Sequence, residues 1–140
     1  MNTRETTRES NLEPRDPSRE KALICARAAI DKKAENVKVL DLSTSSGFTD
    51  YFVICSGMSD RQVKAIVESI EFEVEKTGAE ILSNEGYADG RWALLDLGDV
   101  VVHVFLDALR EYYDLETLWS DAPRLKIPSE YYGPGASRIN

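Results

Sequence analysis

The run YFVICSG, residues 51–57, constrains the fold of this chain more than any other stretch. It is β-branched and apolar on both of its faces. A strand of that kind has to be covered on both sides, so it predicts a central strand in a layered sheet. Just before it, VKVLDLS (37–43) places Val37, Val39 and Asp41 on one face and Lys38, Leu40 and Leu42 on the other. Both faces are mostly apolar again, and the run reads as a neighbouring strand. A third stretch, GRWALLDLGDVVVHVF (90–105), has the composition of a buried β-hairpin.

Helices are expected between and around these strands. Asp16-Pro17-Ser18 can open one, since Asp or Ser caps and Pro is tolerated in the first turn. Leu23, Ala26 and Ile30 then recur at helical spacing. Ser59 followed by Gln62 is a capping box for a second helix. Its inward face is Val63, Ile66, Val67, Ile70 and Val74, and Gly78 closes it. EILSNEGYADG (80–90) reads as a short strand running into a loop. Asp107 can cap a third helix, ALREYYDLETLW, and Pro123 ends that region. The resulting expectation is an α/β (α+β) layer fold with a mixed sheet of about five strands and flanking helices. Residues 1–18 read as a disordered tail, because Leu12 is their only large apolar side chain after the initiator Met. Residues 19–122 form one domain, and 123–140 a loose Pro- and Gly-rich extension.

The hairpin fixes which polar groups share a face. Leu97 resists a positive φ, so a type I turn with Gly98 at a left-handed bulge position is expected. That pairs Leu95 with Asp99. It puts Trp92, Leu94, Val100 and Val102 on one face and Ala93, Leu95, Val101 and His103 on the other. A one-residue slip would reverse these partnerships.

Little in the sequence points to catalysis. His103, the single histidine, has no Ser or Cys nearby in a nucleophile motif. Turn chemistry explains Asp96 and Asp99 without a metal. SGMSD lacks the GK[ST] ending of a phosphate loop. Cys25 and Cys55 lack metal-ligand spacing and are expected buried and reduced. The net charge of −8 disfavours a phosphate-backbone ligand and suits a basic protein partner. No secretory h-region and no transmembrane-length run is present, so a soluble cytoplasmic protein without a membrane partner is expected. Trp92 beside Asp96 and Asp99 has the makings of an aromatic–acidic hot spot. The helix that follows shows Tyr112, Tyr113, Leu115, Leu118 and Trp119, too many large groups for one buried stripe.

Taken together, DLSTSSGFTDYFVICSGMSDRQVKAI, then EG, WALLDLGDVVVHVF and REYYDLETLWSDAP closely resemble the ribosomal silencing factor family, also called Iojap-like proteins. The likeness runs from about residue 19 to 123. It implies a fold like a minimal nucleotidyltransferase without the activity, hence no enzyme and no cofactor. It implies a homodimer when free. It also implies binding to the large ribosomal subunit through ribosomal protein L-fourteen, so that joining of the small subunit is blocked and translation falls under nutrient limitation. Trp92, Asp96, Asp99, His103, Arg110, Tyr113, Glu116 and Trp119 match the family's signature positions and are the expected partner-binding residues. Sequence-specific nucleic-acid binding is not expected. Two other readings stay open here: a nucleotidyltransferase-like enzyme, by analogy of fold alone, and an acidic dimeric adaptor for some other basic protein.

Overall fold

The computed structural model describes residues 16–133. Of the tail expected over residues 1–18, residues 1–15 lie outside that range, as do residues 134–140 of the extension. Residues 16–18 are ordered, with Asp16 capping a helix that starts at Pro17 and Ser18 bonded to Asp50 and Asp99. In chain order the elements are α1 (Pro17–Asp31), β1 (Glu35–Asp41), β2 (Tyr51–Gly57), α2 (Asp60–Lys76), β3 (Ser83–Glu85), β4 (Trp92–Asp96), β5 (Val100–Leu106), α3 (Asp107–Tyr113), α4 (Leu115–Leu118) and a 3-10 turn, Ser129–Tyr132. The strands form one sheet in the order β1-β2-β5-β4-β3. The β2–β5 pair is parallel and the other pairs are antiparallel, so the sheet is mixed, as expected.

Alternation along the strands sorts the side chains onto two faces. Val37, Val39, Val53, Cys55, Leu95, Val102 and Val104 point to one face, where α1 and α2 cover them. Leu40, Leu42, Phe52, Ile54, Val101 and Phe105 point to the other. The sequence explains why both long helices take the first face. Asp16 accepts a hydrogen bond from Arg19 N at 3.2 Å and starts α1. Ala22, Ala26 and Ala29 then keep its buried side thin. That lets α2 come close enough for Ser69 Oγ to donate to Ala28 O at 2.9 Å. Ser59 Oγ accepts from Gln62 N at 3.1 Å. Gln62 Oε1 reaches back to Met58 N at 2.6 Å, one residue earlier than an ordinary capping box. Its Nε2 donates to Lys32 O and Lys33 O, both at 3.1 Å, so one side chain joins the start of α2 to the end of α1. The expected inward side of α2 is buried at every position named, and each such aliphatic side chain contributes roughly 1.5–3 kcal/mol.

Three expectations are corrected. The hairpin does not pair Leu95 with Asp99. Leu97 N donates to Val100 O at 2.9 Å, and Leu95 pairs with Val102, three positions along. Leu97 is buried and extends the strand, so the turn consists of Gly98 and Asp99. Gly98 has φ +87 and Asp99 has no positive φ, which is the Gly-X form of a two-residue turn. An odd displacement reverses the faces. Trp92 and Leu94 now lie with Val101, His103 and Phe105, while Ala93 and Leu95 lie with Val100, Val102 and Val104.

The single aromatic helix is two helices. Asp114, at φ 50, breaks it between α3 and α4, a left-handed position that Asp tolerates better than most residues. Asp107 is a first-turn acid and not the cap, a position that Leu106 takes without a side-chain bond. Finally, the stretch after Pro123 is held and not loose, through residue 133. Asp41 N donates to Pro123 O and Leu125 N to Val39 O, both at 2.8 Å. Arg124 bridges Leu40 antiparallel. Leu125, Ile127, Tyr131 and Tyr132 pack on the helix-covered core. The segment is a strap that blunts the exposed edge of β1.

Candidate partner-binding face

The second face of the sheet is lined by rings and only partly covered. The Phe52 ring stands edge-on to His103 at 4.7 Å and to Trp119 at 5.8 Å. Trp92 stacks on Phe105 at 4.8 Å and leans on Tyr113 at 4.7 Å. The cover is α3 and α4, of 7 and 4 residues. Large groups around it stay in solvent: Phe48 is 64% exposed, Tyr112 78%, Tyr113 47% and Leu118 73%. Aromatic surface of this size, half buried and rimmed by exposed rings, is suited to a protein partner.

Within this face His103 is buried. Trp92 Nε1 donates to its Nδ1 at 3.1 Å. Burial lowers its pKa to about 4, so it is neutral at physiological pH. Its Nε2 has no partner among the described residues.

Arg110 closes the end of the face nearest α4, and it is buried too. Its Nε and Nη2 grip Glu116 at 2.9 and 3.2 Å, a two-point contact. Nη1 donates to Asn36 O at 2.7 Å and Ser56 Oγ at 3.0 Å. Lys38 adds a second cation to Glu116 at 2.7 Å. The Arg110 hydrogen bonds, with Lys38 and against partial burial, hold the Glu116 carboxyl down to about 2. This ion network anchors α4, and with it Trp119, over Phe52.

Asp96 and Asp99 do not join Trp92 in one patch. Trp92 pairs with Phe105, at the end of the hairpin away from the turn, roughly 13 Å from Asp96 at strand spacing. Asp96 Oδ1 accepts from Gly98 N at 2.8 Å and serves the turn. Asp99 faces α1: Lys21 Nζ lies 2.7 Å and Ser18 Oγ 2.8 Å from its carboxylate. Burial raises its pKa, but the bonds from Lys21 and Ser18 outweigh that and leave it lowered. The structure therefore gathers Trp92, His103, Tyr113 and Trp119, sets Arg110 and Glu116 beside them, places Asp96 at the turn end of the same sheet face, and turns Asp99 toward α1. Phe48, Phe52, Phe105 and Lys38 belong with the site and were not singled out from sequence. Phe52 and Phe105 could have been found by alternation, given the right register. Lys38 shares its strand face with Leu40 and Leu42 by the same alternation, and Phe48 carries no such signal.

Both thiols are fully buried, and burial raises Cys25 and Cys55 to about 12. Among the described residues no group of three or more His, Cys, Asp or Glu could hold a metal ion. No described helix is long and apolar enough to cross a membrane.

Known proteins resemble this chain in sequence and in fold. The family model for ribosomal silencing factor during starvation matches residues 15–137, which takes in the strap after Pro123. A ribosomal silencing factor of Bacillus subtilis (strain 168) is 49% identical over 100 residues, covering 71% of this chain and 85% of the relative. A crystal structure from Bacillus halodurans has a TM-score of 0.70 at 43% identity, covering 78% of this chain and 99% of that one. A second, from Chromobacterium violaceum, has a TM-score of 0.71 at 36% identity, covering 86% and 95%. With its residues matched nearly end to end and its fold shared with solved relatives, the chain belongs to the ribosomal silencing factor family.

Proposed function

We propose that this chain represses translation as a binding protein and not as an enzyme. In this reading the aromatic face docks on the large ribosomal subunit through ribosomal protein L-fourteen. The bound protein then stands in the way of the small subunit, in the cytoplasm, when nutrients are limiting. The observation that carries the reading is the half-covered aromatic face in a member of this family. The net charge of −8 supports a basic partner. The candidate catalytic groups are engaged otherwise, which supports binding over catalysis: His103 holds Trp92, Asp99 holds α1, and both thiols are buried and fully protonated. The exposed Tyr112 and Leu118 beside the same face favour a homodimer in the free state, with the two associations competing for one surface.

Co-sedimentation with separated ribosomal subunits tests the reading. Pelleting with the large subunit, and loss of subunit joining when the protein is pre-bound, is the expected result. Binding to the small subunit alone, or to neither, contradicts it.

A further inference from the structure

One residue of the aromatic face cannot itself touch a partner. His103 is 4% exposed. Its ring is wedged between Phe52 and Phe105, with centroids at 4.7 and 6.3 Å. Its single polar contact among the described residues is the Trp92 indole, 3.1 Å from Nδ1. An indole N–H can only donate, so Nδ1 must offer a lone pair and the imidazole proton sits on Nε2. That proton has no acceptor among the described residues. A buried donor left bare costs stability, so a histidine used only for packing would be inferior to an apolar ring here.

The Trp92 indole has a need that this histidine meets. Phe105 stacks on the indole at 4.8 Å and Tyr113 leans against it at 4.7 Å, tilted by 43°. Stacking of that kind favours area and does not dictate which edge of the indole points where. The torsion that turns an aromatic ring about its stem is broad and roughly two-fold. A directional bond to the N–H selects one of the two settings. The hairpin register makes the bond possible, since Leu94 is the direct partner of His103 and Trp92 is its diagonal neighbour on the same face.

We infer that His103 is a positioning residue for the docking face: its Nδ1 fixes the rotation of Trp92 and so sets the edge of the indole that a partner meets. The inference rests on the reading that this face docks.

Three variants test it. His103→Leu removes the acceptor, His103→Asn offers an amide oxygen near the place of Nδ1, and Trp92→Phe keeps an aromatic ring without the N–H. The readouts are the Trp92 indole N–H resonance in the free chain and the affinity for purified large ribosomal subunits. His103→Leu is expected to move the indole resonance and weaken binding about tenfold, the size of one hydrogen bond's net contribution. His103→Asn is expected to recover most of both, and in a Trp92→Phe background His103→Leu should cost nothing more. Wild-type affinity in folded His103→Leu overturns the inference. So does an equal loss with and without the Trp92 N–H, which would mean that His103 acts through packing. If His103→Leu fails to fold, His103→Phe takes its place: a moved indole resonance with weakened binding supports the inference and wild-type affinity overturns it. Trp92→Ala separates the two levels. Normal binding by that variant overturns the docking reading itself, whereas lost binding there with none lost in His103→Leu overturns only the role of His103.

Discussion

The two faces of the sheet are built from the same strands and finished differently. On one, aliphatic side chains meet helices of 15 and 17 residues and are shut off from water. On the other, rings meet helices of 7 and 4 residues, with a left-handed turn of the backbone at Asp114 between them. The buried polar groups His103, Arg110 and Ser56 belong to this second side or its rim. The closed face supplies most of the burial that makes the fold. The ringed face, held by one ion network and one indole bond, is left with surface to give to a partner. Period-two alternation lets a single set of strands do both.

The largest expected effect comes from damaging the closed face. Leu95 is fully buried there. Leu95→Ala should cost about 3 kcal/mol in chemical denaturation, the transfer and cavity terms together. Where the variant remains folded, its affinity for the large subunit should match wild type. A folded Leu95→Ala protein that binds poorly would blur the distinction between the faces.

Next is the half-buried Trp92. Trp92→Ala should cost about 2 kcal/mol or more of partner affinity and less stability than Leu95→Ala. Reversal of that order, with Trp92→Ala melting first, would make the ringed face ordinary core.

The two faces were not equally legible in the sequence. Strand β2 and helix α2 could be read, because an all-apolar run and an i, i+3, i+4 stripe behind Ser59 each allow one solution. The rings at Trp92, Tyr113 and Trp119 could be named by type, yet their assembly depends on the hairpin register. That register turns on whether Leu97 ends a strand or sits in a turn, and burial in the finished fold decides it. The break at Asp114 and the strap from Pro123 to Tyr132 leave no periodic trace. One rests on a single left-handed residue and the other on a single bridge plus tertiary packing. Asp96 and Asp99, expected with Trp92 from the hairpin sequence and the family's signature positions, lie at the turn end of the hairpin, about 13 Å along the strand from Trp92 in the case of Asp96.

The ion network gives a smaller effect with a pH signature. Glu116→Gln should cost about 1.5 kcal/mol, a bond to a charged group lost. Because the folded-state pKa of Glu116 is lowered to about 2 from an ordinary 4.5, its stabilisation is complete above about 4.5 and is lost as pH falls toward 2. Wild type should therefore lose stability across that window more steeply than Glu116→Gln. His103 acts in a higher window. Burial lowers its pKa from 6.5 to about 4, so stability should decline as pH falls from 6.5 toward 4, and His103→Asn should flatten that part of the curve. Denaturation midpoints measured from pH 7 to about 2 check both.

The smallest effect is expected at the turn. Asp96→Lys with Asp99→Lys removes the contact with Lys21 and should cost about 1 kcal/mol of stability, as partly exposed pairs do. Affinity for the large subunit should change little. A loss that grows at low salt would return the aspartates to the binding surface.

The most direct test sets one exposed ring from each side against the other. Tyr113, on the ringed face, is 47% exposed and Phe72, on the outer side of α2, is 63% exposed. Neither is part of the buried core, so Tyr113→Glu and Phe72→Glu should both fold. The measurement is the affinity of each for purified large ribosomal subunits. The account predicts a loss of about tenfold or more for Tyr113→Glu, as for an interface residue worth over 1 kcal/mol, and wild-type affinity for Phe72→Glu. Equal losses in the two, or a loss in Phe72→Glu alone, would contradict it.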